Sequence, residues 1–232
     1  MLMKSVCAFG DSVLRGVVLD NDKYKLSPNS FSNLCKKTLG ICIENKAKFG
    51  STVSTGKKSI ERNIDNLENE DYDYVILEFG GNDCDFNWKE ISDNPDLEYE
   101  PNSTIEDFKK VYTELINKIK SLGKIPVIMS LPPIDGKRYF EKISKNLNAS
   151  NILKWMCGNK QFIADWHERY NLETFKLAIR NNVSIIDITS KFLECKNYER
   201  FLCADGIHPN EKGHQIIARE IQEHLQEKNI KL

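Results

Sequence analysis

The chain has 232 residues, enough for one sizeable hydrophobic core and short for two domains. With 40% hydrophobic and 29% charged residues it has the balance of a folded globular protein, which excludes an intrinsically disordered one. A net charge of -1 leaves no global pull toward nucleic acid or an anionic membrane.

The first apolar run, Lys4-Ser5-Val6-Cys7-Ala8-Phe9, reads as a short buried strand that must end at the turn formers Gly10 and Asp11. That puts the Ser12 hydroxyl just past the carboxyl end of a strand, where open α/β sheets place their ligands. Residues 30–39 carry apolar side chains at helical spacing, with Ser30 as cap and Gly40 as stop. An edge strand over 41–47 and a polar helix over 56–69 are expected next. Tyr72 to Phe79 is the clearest strand of the sequence and stops at Gly80-Gly81-Asn82-Asp83.

Residues 84–102 form an acidic, irregular insertion with Phe86, Trp88 and Tyr99. Ser103-Thr104 before Glu106 reads as a capping box for a helix over 104–121, whose stripe is Phe108, Val111, Tyr112, Leu115 and Ile119. A strand over 125–130, a stiff Pro132-Pro133 loop and a second insertion over 137–159 follow. A helix over 160–181, a fifth strand over 183–188, the loop Asp205-Gly206-Ile207-His208-Pro209 and a last amphipathic helix complete the chain. Five strands alternating with helices predict an α/β class with a parallel sheet covered on both faces, in one domain spanning 1–232.

Seven cysteines, an odd count with no Cys/His pairs at zinc spacing, point to reduced thiols and no metal site. The N-terminal apolar run is too short for a signal peptide, and no run has the length to span a bilayer, so a cytoplasmic protein without membrane insertion is expected. Gly50 to Ser59 imitates a phosphate-binding loop but fails on spacing, since five residues separate its glycines and Lys58 stands where Ser or Thr should bind magnesium. His167, His214 and His224 sit in helical patterns among charged residues and are expected on solvated faces. Trp88, Trp155 and Trp166 are expected to pack, with Trp88 and Trp155 also candidates for a substrate wall.

Four blocks stand at strand ends or before the last helix: Gly10-Asp11-Ser12, Gly50, Gly80-Gly81-Asn82-Asp83 and Asp205-Gly206-Ile207-His208. Taken alone, the first reads as a plain turn with a capping serine, the third as a turn, and Asp205/His208 as a structural pair. Together they supply what acyl transfer to a serine needs. A serine hydroxyl requires a base, and a histidine base requires an acceptor on its other nitrogen. Asp205 and His208 are close enough in sequence to form that pair, and Asp11 is expected to order the turn rather than react. The developing oxyanion requires oriented donors, for which the amides of Ser12 and Gly50 and the side chain of Asn82 are the candidates.

In these blocks the sequence resembles the SGNH, or GDSL, hydrolase superfamily, over essentially the whole chain: Ser12, Gly50, Asn82 and His208 stand in the family's order, with Gly50 matched mainly by position. The resemblance implies a flavodoxin-like three-layer α/β/α sandwich with a five-stranded parallel sheet in the order 2-1-3-4-5. It also implies a serine esterase, lipase or acylhydrolase that needs no cofactor or metal. Catalytic Ser12, Asp205 and His208, with oxyanion donors at Ser12, Gly50 and Asn82, are expected to cleave a carboxylic ester. A small soluble ester or O-acetylated carbohydrate is favoured. The alternatives are a lysophospholipase-like lipid acylhydrolase, or a non-catalytic module on the same fold that binds an acyl ligand or a protein. The sequence carries no signal for an oligomeric state.

Overall fold

A computed structural model describes residues 5–227. Its strands are β1 (Ser5–Gly10), β2 (Val17–Asp20), β3 (Lys23–Leu26), β4 (Cys42–Asn45), β5 (Tyr72–Glu78), β6 (Ile125–Met129) and β7 (Ser184–Ile186). The helices are α1 (Ser12–Arg15), α2 (Phe31–Leu39), α3 (Val53–Glu61), α4 (Ile64–Asn69), α5 (Trp88–Asp93) and α6 (Ile105–Ser121). They continue with α7 (Gly136–Ser144), α8 (Ala149–Trp155), α9 (Phe162–Asn181), α10 (Ile188–Leu193) and α11 (Glu211–Glu227).

Five strands form one parallel sheet in the order β4-β1-β5-β6-β7. Leaving aside the β2–β3 hairpin, this is the expected 2-1-3-4-5. Strand alternation splits the core into two layers, because successive side chains point to opposite faces. Cys7 and Phe9 of β1, Val75 and Leu77 of β5 and Ile128 of β6 join one cluster with α3, α6 and α9. Val6, Ala8, Ile76, Val127 and Met129 join the other with α2, α10 and α11. In α6 the buried stripe is Phe108, Tyr112, Leu115, Ile116 and Ile119, so Ile116 belongs to it. Among the described residues, no helix is long and apolar enough to cross a membrane.

Several boundaries differ from expectation, each for a local reason. The helix expected over 56–69 starts earlier and breaks in two, because Thr52 caps it in a reciprocal box with Thr55 and Asn63 interrupts it. The cap of α6 is Thr104, which accepts from the Asp107 amide, so the partner three residues on is Asp107 and not Glu106. The two insertions are helical in part, contributing α5, α7 and α8. The hairpin of β2 and β3 was absent from the sequence expectation. Asn21 and Asp22, at φ 49° and 59°, make its two-residue turn, a left-handed pair that Asn and Asp tolerate best after Gly.

The close fit of α3 on the sheet yields a stability test. A Cβ placed on Gly56 would lie 2.2 Å from Cζ of Phe79, a ring with no exposed surface. Gly56→Ala would gain up to about 1 kcal/mol of helix propensity but force that ring aside, at about 1–3 kcal/mol or more. Net destabilisation in chemical denaturation is the expected result. An unchanged or raised midpoint would mean that Phe79 has room to move.

Candidate active site

All four blocks meet at the carboxyl edge of the sheet. β1 ends at Gly10, and Asp11 caps the single turn of α1 by accepting from the Val13 amide at 2.8 Å. Ser12 is the first residue of that turn and is 6% exposed. Gly16, at φ 83°, closes the turn and sends the chain into the hairpin.

His208 lies on the loop before α11, 196 positions from Ser12 in sequence, and its Nε2 stands 2.8 Å from Ser12 Oγ. Its Nδ1 donates to Asp205 Oδ2 at 2.7 Å. A carboxylate only accepts, which assigns the proton to Nδ1 and leaves Nε2 free to accept from the Ser12 hydroxyl. Asp205 Oδ1 meanwhile accepts from the amides of Ile207 and His208 at 3.1 and 3.2 Å. Burial alone would raise the Asp205 carboxyl, but the hydrogen bond and charge of His208 and these two amides outweigh it and hold the group below the usual range. The loop is pinned by the Cys203 amide donating to the His208 carbonyl at 2.7 Å and the Asp135 amide donating to the Gly206 carbonyl at 2.8 Å. Gly206 is required at its place: φ is +78°, and a Cβ would lie 2.6 Å from the Asp135 carbonyl oxygen.

Asn82 Nδ2 donates to Asp11 Oδ2 at 2.9 Å and more distantly to the Ser51 carbonyl at 3.3 Å. Its neighbour Asp83 is fully buried and accepts from the Val53 amide and the Ser103 hydroxyl, tying the start of α3 to the loop after β5. Burial raises the Asp83 carboxyl to about 6 against the pull of those bonds. Gly50 occupies an exposed left-handed turn at φ 70°. The turn is moored to β1 by the Lys48 amide on the Gly10 carbonyl at 3.0 Å and to Asn82 through Ser51. Gly50 does not line the cavity beside Ser12, whereas Asn82 does.

That cavity, about 70 Å³, is walled by Val13, Phe86, Trp88, Ile134, Ile163 and Trp166, and Ser12 and His208 line it as well. Trp88 thus forms a wall, as does Trp166. Trp155 stands behind it, packed edge-on against Phe86 at 5.0 Å and against Trp88. Asp85 is the only acid of the 84–102 segment in the wall, held by Trp88 Nε1 at 2.7 Å and the Tyr139 hydroxyl at 2.8 Å. Glu90, Asp93, Asp96, Glu98 and Glu100 are exposed, so the charge of that insertion faces outward.

The histidines depart from expectation. His167, His214 and His224 are all buried, not solvated, because α9 and α11 pack on more of their circumference than a single apolar stripe suggests. His167 lines the cavity, and burial lowers it to about 4, so it is neutral above that pH. His214 is lowered likewise to about 4, chiefly by burial, and stacks on Phe31. His224 Nε2 meets Ser184 Oγ at 3.0 Å.

Sequence reasoning also missed Tyr24 and Phe49. Their rings lie 5.1 and 6.0 Å from the His208 ring and 5.2 Å from each other, forming an aromatic cover on its solvent side. The Asn21-Asp22 pair between Val17-Val18-Leu19 and the alternating Lys23-Tyr24-Lys25-Leu26 was the available signal for the Tyr24 hairpin. Among the described residues, no group of three or more His, Cys, Asp or Glu side chains is placed to hold a metal ion.

A family profile described as "GDSL-like Lipase/Acylhydrolase family" matches residues 8–216. No curated protein matches the chain. Among solved structures, a lipase/acylhydrolase from Enterococcus faecalis superposes with a TM-score of 0.65 at 20% identity, covering 97% of each chain. A catalytic mutant of an acetylxylan esterase from Geobacillus stearothermophilus gives 0.66 at 20% identity, over 96% of this chain and 94% of the other. A G-D-S-L family lipolytic protein from Veillonella parvula gives 0.60 at 18% identity, over 95% and 97%. At these identities the superpositions establish a shared fold.

Proposed function

Since the chain belongs to the GDSL-like lipase/acylhydrolase family and is therefore an ester-bond hydrolase, we propose that it is a serine esterase in which Ser12, His208 and Asp205 carry the reaction. The observation that carries this reading is the unbroken chain of short contacts from Ser12 Oγ through both nitrogens of His208 to Asp205. Ser12 Oγ attacks the ester carbonyl while His208 Nε2 takes its proton. The imidazolium is stabilised by Asp205 and returns the proton to the leaving alcohol as the carbonyl–alkoxy bond breaks. Water, activated by the same nitrogen, then attacks the acyl-enzyme and releases the acid. The Ser12 amide and the Asn82 side chain hold the oxyanion, the long contact of Asn82 to Ser51 being the one it would give up, whereas Gly50, in its exposed turn outside the cavity, shapes that turn and does not donate. The whole chain, 1–232, acts as one domain, with the segments near 84–102 and 137–159 building the rim of the site.

The substrate we favour is a small soluble ester, O-acetylated carbohydrate among them. The aromatic and aliphatic walls set by Phe86, Trp88, Ile134, Ile163 and Trp166 beside Ser12 favour a compact acyl group such as acetyl. On the alcohol side, Tyr24 and Phe49 are 38% and 55% exposed, an apolar platform beside His208 on which a sugar ring could rest. Lipid acylhydrolysis is the second reading, resting on the exposed Leu26 and Phe49 at the same edge.

A fluorophosphonate probe together with p-nitrophenyl esters of increasing chain length tests both. Labelling of the folded wild type is expected, with turnover of the acetate at least about tenfold faster than the octanoate. Faster octanoate or lysophospholipid cleavage would move the lipid reading forward. A folded protein that neither labels nor turns over any ester would support a binding module instead.

A further inference from the structure

Glu78 is the last residue of β5, paired in register with Gly10, and its side chain has no exposed surface. Oε2 accepts a long hydrogen bond from the Asp11 amide at 3.4 Å, and Oε1 has no hydrogen-bond partner among the described residues. Nothing in the mechanism above uses it. Glu78 lines the same cavity as Ser12, and among the described residues no lysine or arginine lines that cavity with it. The titratable groups around it are Asp11 and His208 on the nucleophile side, Asp83, Cys84 and Asp85 after β5, His167 on α9, Tyr139 on α7 and Tyr112 on α6.

Asp11 is differently served. It accepts from the Val13 amide at 2.8 Å and from Asn82 Nδ2 at 2.9 Å, and the imidazolium that His208 becomes during turnover favours its anion. Two buried carboxyl groups, linked through the Asp11 amide and with no lysine or arginine beside them among the described residues of the cavity lining, cannot both ionise readily near neutral pH. The proton remains on the member with fewer donors, and that member is Glu78.

We propose that Asp11 and Glu78 share a single proton, carried by Glu78, and act as one positioning unit for the nucleophile turn and the Asn82 amide. Neutral Glu78 steadies the Asp11 carboxylate, which in turn holds the Val13 amide in α1 and one N–H of Asn82. The other N–H of Asn82, facing Ser51 only across 3.3 Å, is left to turn toward an oxyanion. Burial first, and then the Asp11 charge, push Glu78 well above the ordinary carboxyl range. Burial raises Asp11 too, and its donors and His208 offset only part of that rise. Ionising Glu78 would set two anions against each other beneath Ser12 and release the Asn82 amide.

The role in turnover rests on the esterase reading, so the test has one arm that needs no ester. In the purified full chain, the infrared band of a protonated carboxyl is expected at neutral pH in wild type and missing from Glu78→Gln. No difference between the two would overturn the shared proton. A band that behaves as expected in a protein that cleaves no ester would count against the esterase reading and leave the pair standing. In the kinetic arm, Glu78→Gln keeps the shape and a neutral donor, and kcat near neutral pH is expected within about threefold of wild type. Glu78→Leu is expected to lower kcat about tenfold or more with a smaller change in KM. Wild type should lose kcat at alkaline pH as Glu78 ionises, and Glu78→Gln should lack that loss. Any limb due to Cys84 or Tyr139, both pushed up by burial, would persist in both proteins. An identical alkaline limb, or a glutamine as damaging as the leucine, would overturn the positioning role. If the leucine variant does not fold, the glutamine profile and the infrared difference decide.

Discussion

Ser12→Ala is expected to lower kcat by about a thousandfold or more while leaving the protein folded. The hydroxyl contributes one hydrogen bond, to His208 Nε2, and little volume, so its loss costs stability only about 1 kcal/mol. The chemistry loses far more. Without the oxygen no acyl-enzyme forms, and what remains is water attacking an ester held by the oxyanion donors and the cavity. Fluorophosphonate labelling should vanish in the same variant, and the thermal midpoint should stay close to that of wild type. Full turnover by purified Ser12→Ala would sink the mechanism, since no other hydroxyl stands within hydrogen-bond reach of His208 Nε2 among the described residues.

Asp205→Asn is expected to be nearly as severe, about 10³–10⁴-fold in kcat, for a different reason. Asparagine can keep one oxygen on the amides of Ile207 and His208, where Asp205 Oδ1 now accepts, so the loop retains its shape. Its NH₂ then faces His208 Nδ1 and forces that nitrogen to accept. The ring proton moves to Nε2, which can no longer take the proton of Ser12. The variant should fold, bind substrate with a KM within several-fold of wild type, and label with fluorophosphonate far more slowly. Turnover within tenfold of wild type would mean that Asp205 serves the loop and not the imidazole. Stability alone would not separate these roles, because Asp205 is buried and serves both.

The parts of the site that were legible in the sequence are those written in short-range chemistry. Gly10-Asp11-Ser12, Gly80-Gly81-Asn82-Asp83 and Asp205 to His208 each combine a turn former with a reactive side chain within a few residues. An apolar run before the first two identifies the strand end on which they sit. Gly50 had no such companion, and it stands in an exposed turn whose connection to the site runs through Ser51 and Lys48. Tyr24, in the hairpin missed from the sequence, covers a histidine that lies 184 positions further along the chain. His167 was misplaced because its charged neighbours suggested a solvated face, whereas the rim helices cover that side of α9 and leave the ring in the cavity wall.

Sequence alone therefore determined the α/β class, the five sheet strands and the turns that end them, since periodicity and turn chemistry act over a few residues. Only the tertiary structure decided that Ser12, His208 and Asp205 come within hydrogen-bond reach. It also decided that Tyr24 of the hairpin covers the imidazole, that Phe86, Trp88 and Trp166 wall the cavity beside Ser12, and that Asp11 and Glu78 are buried side by side at the ends of paired strands. Those outcomes depend on which strands lie side by side. Desolvation and charge coupling arise only when groups distant in sequence are packed together away from water.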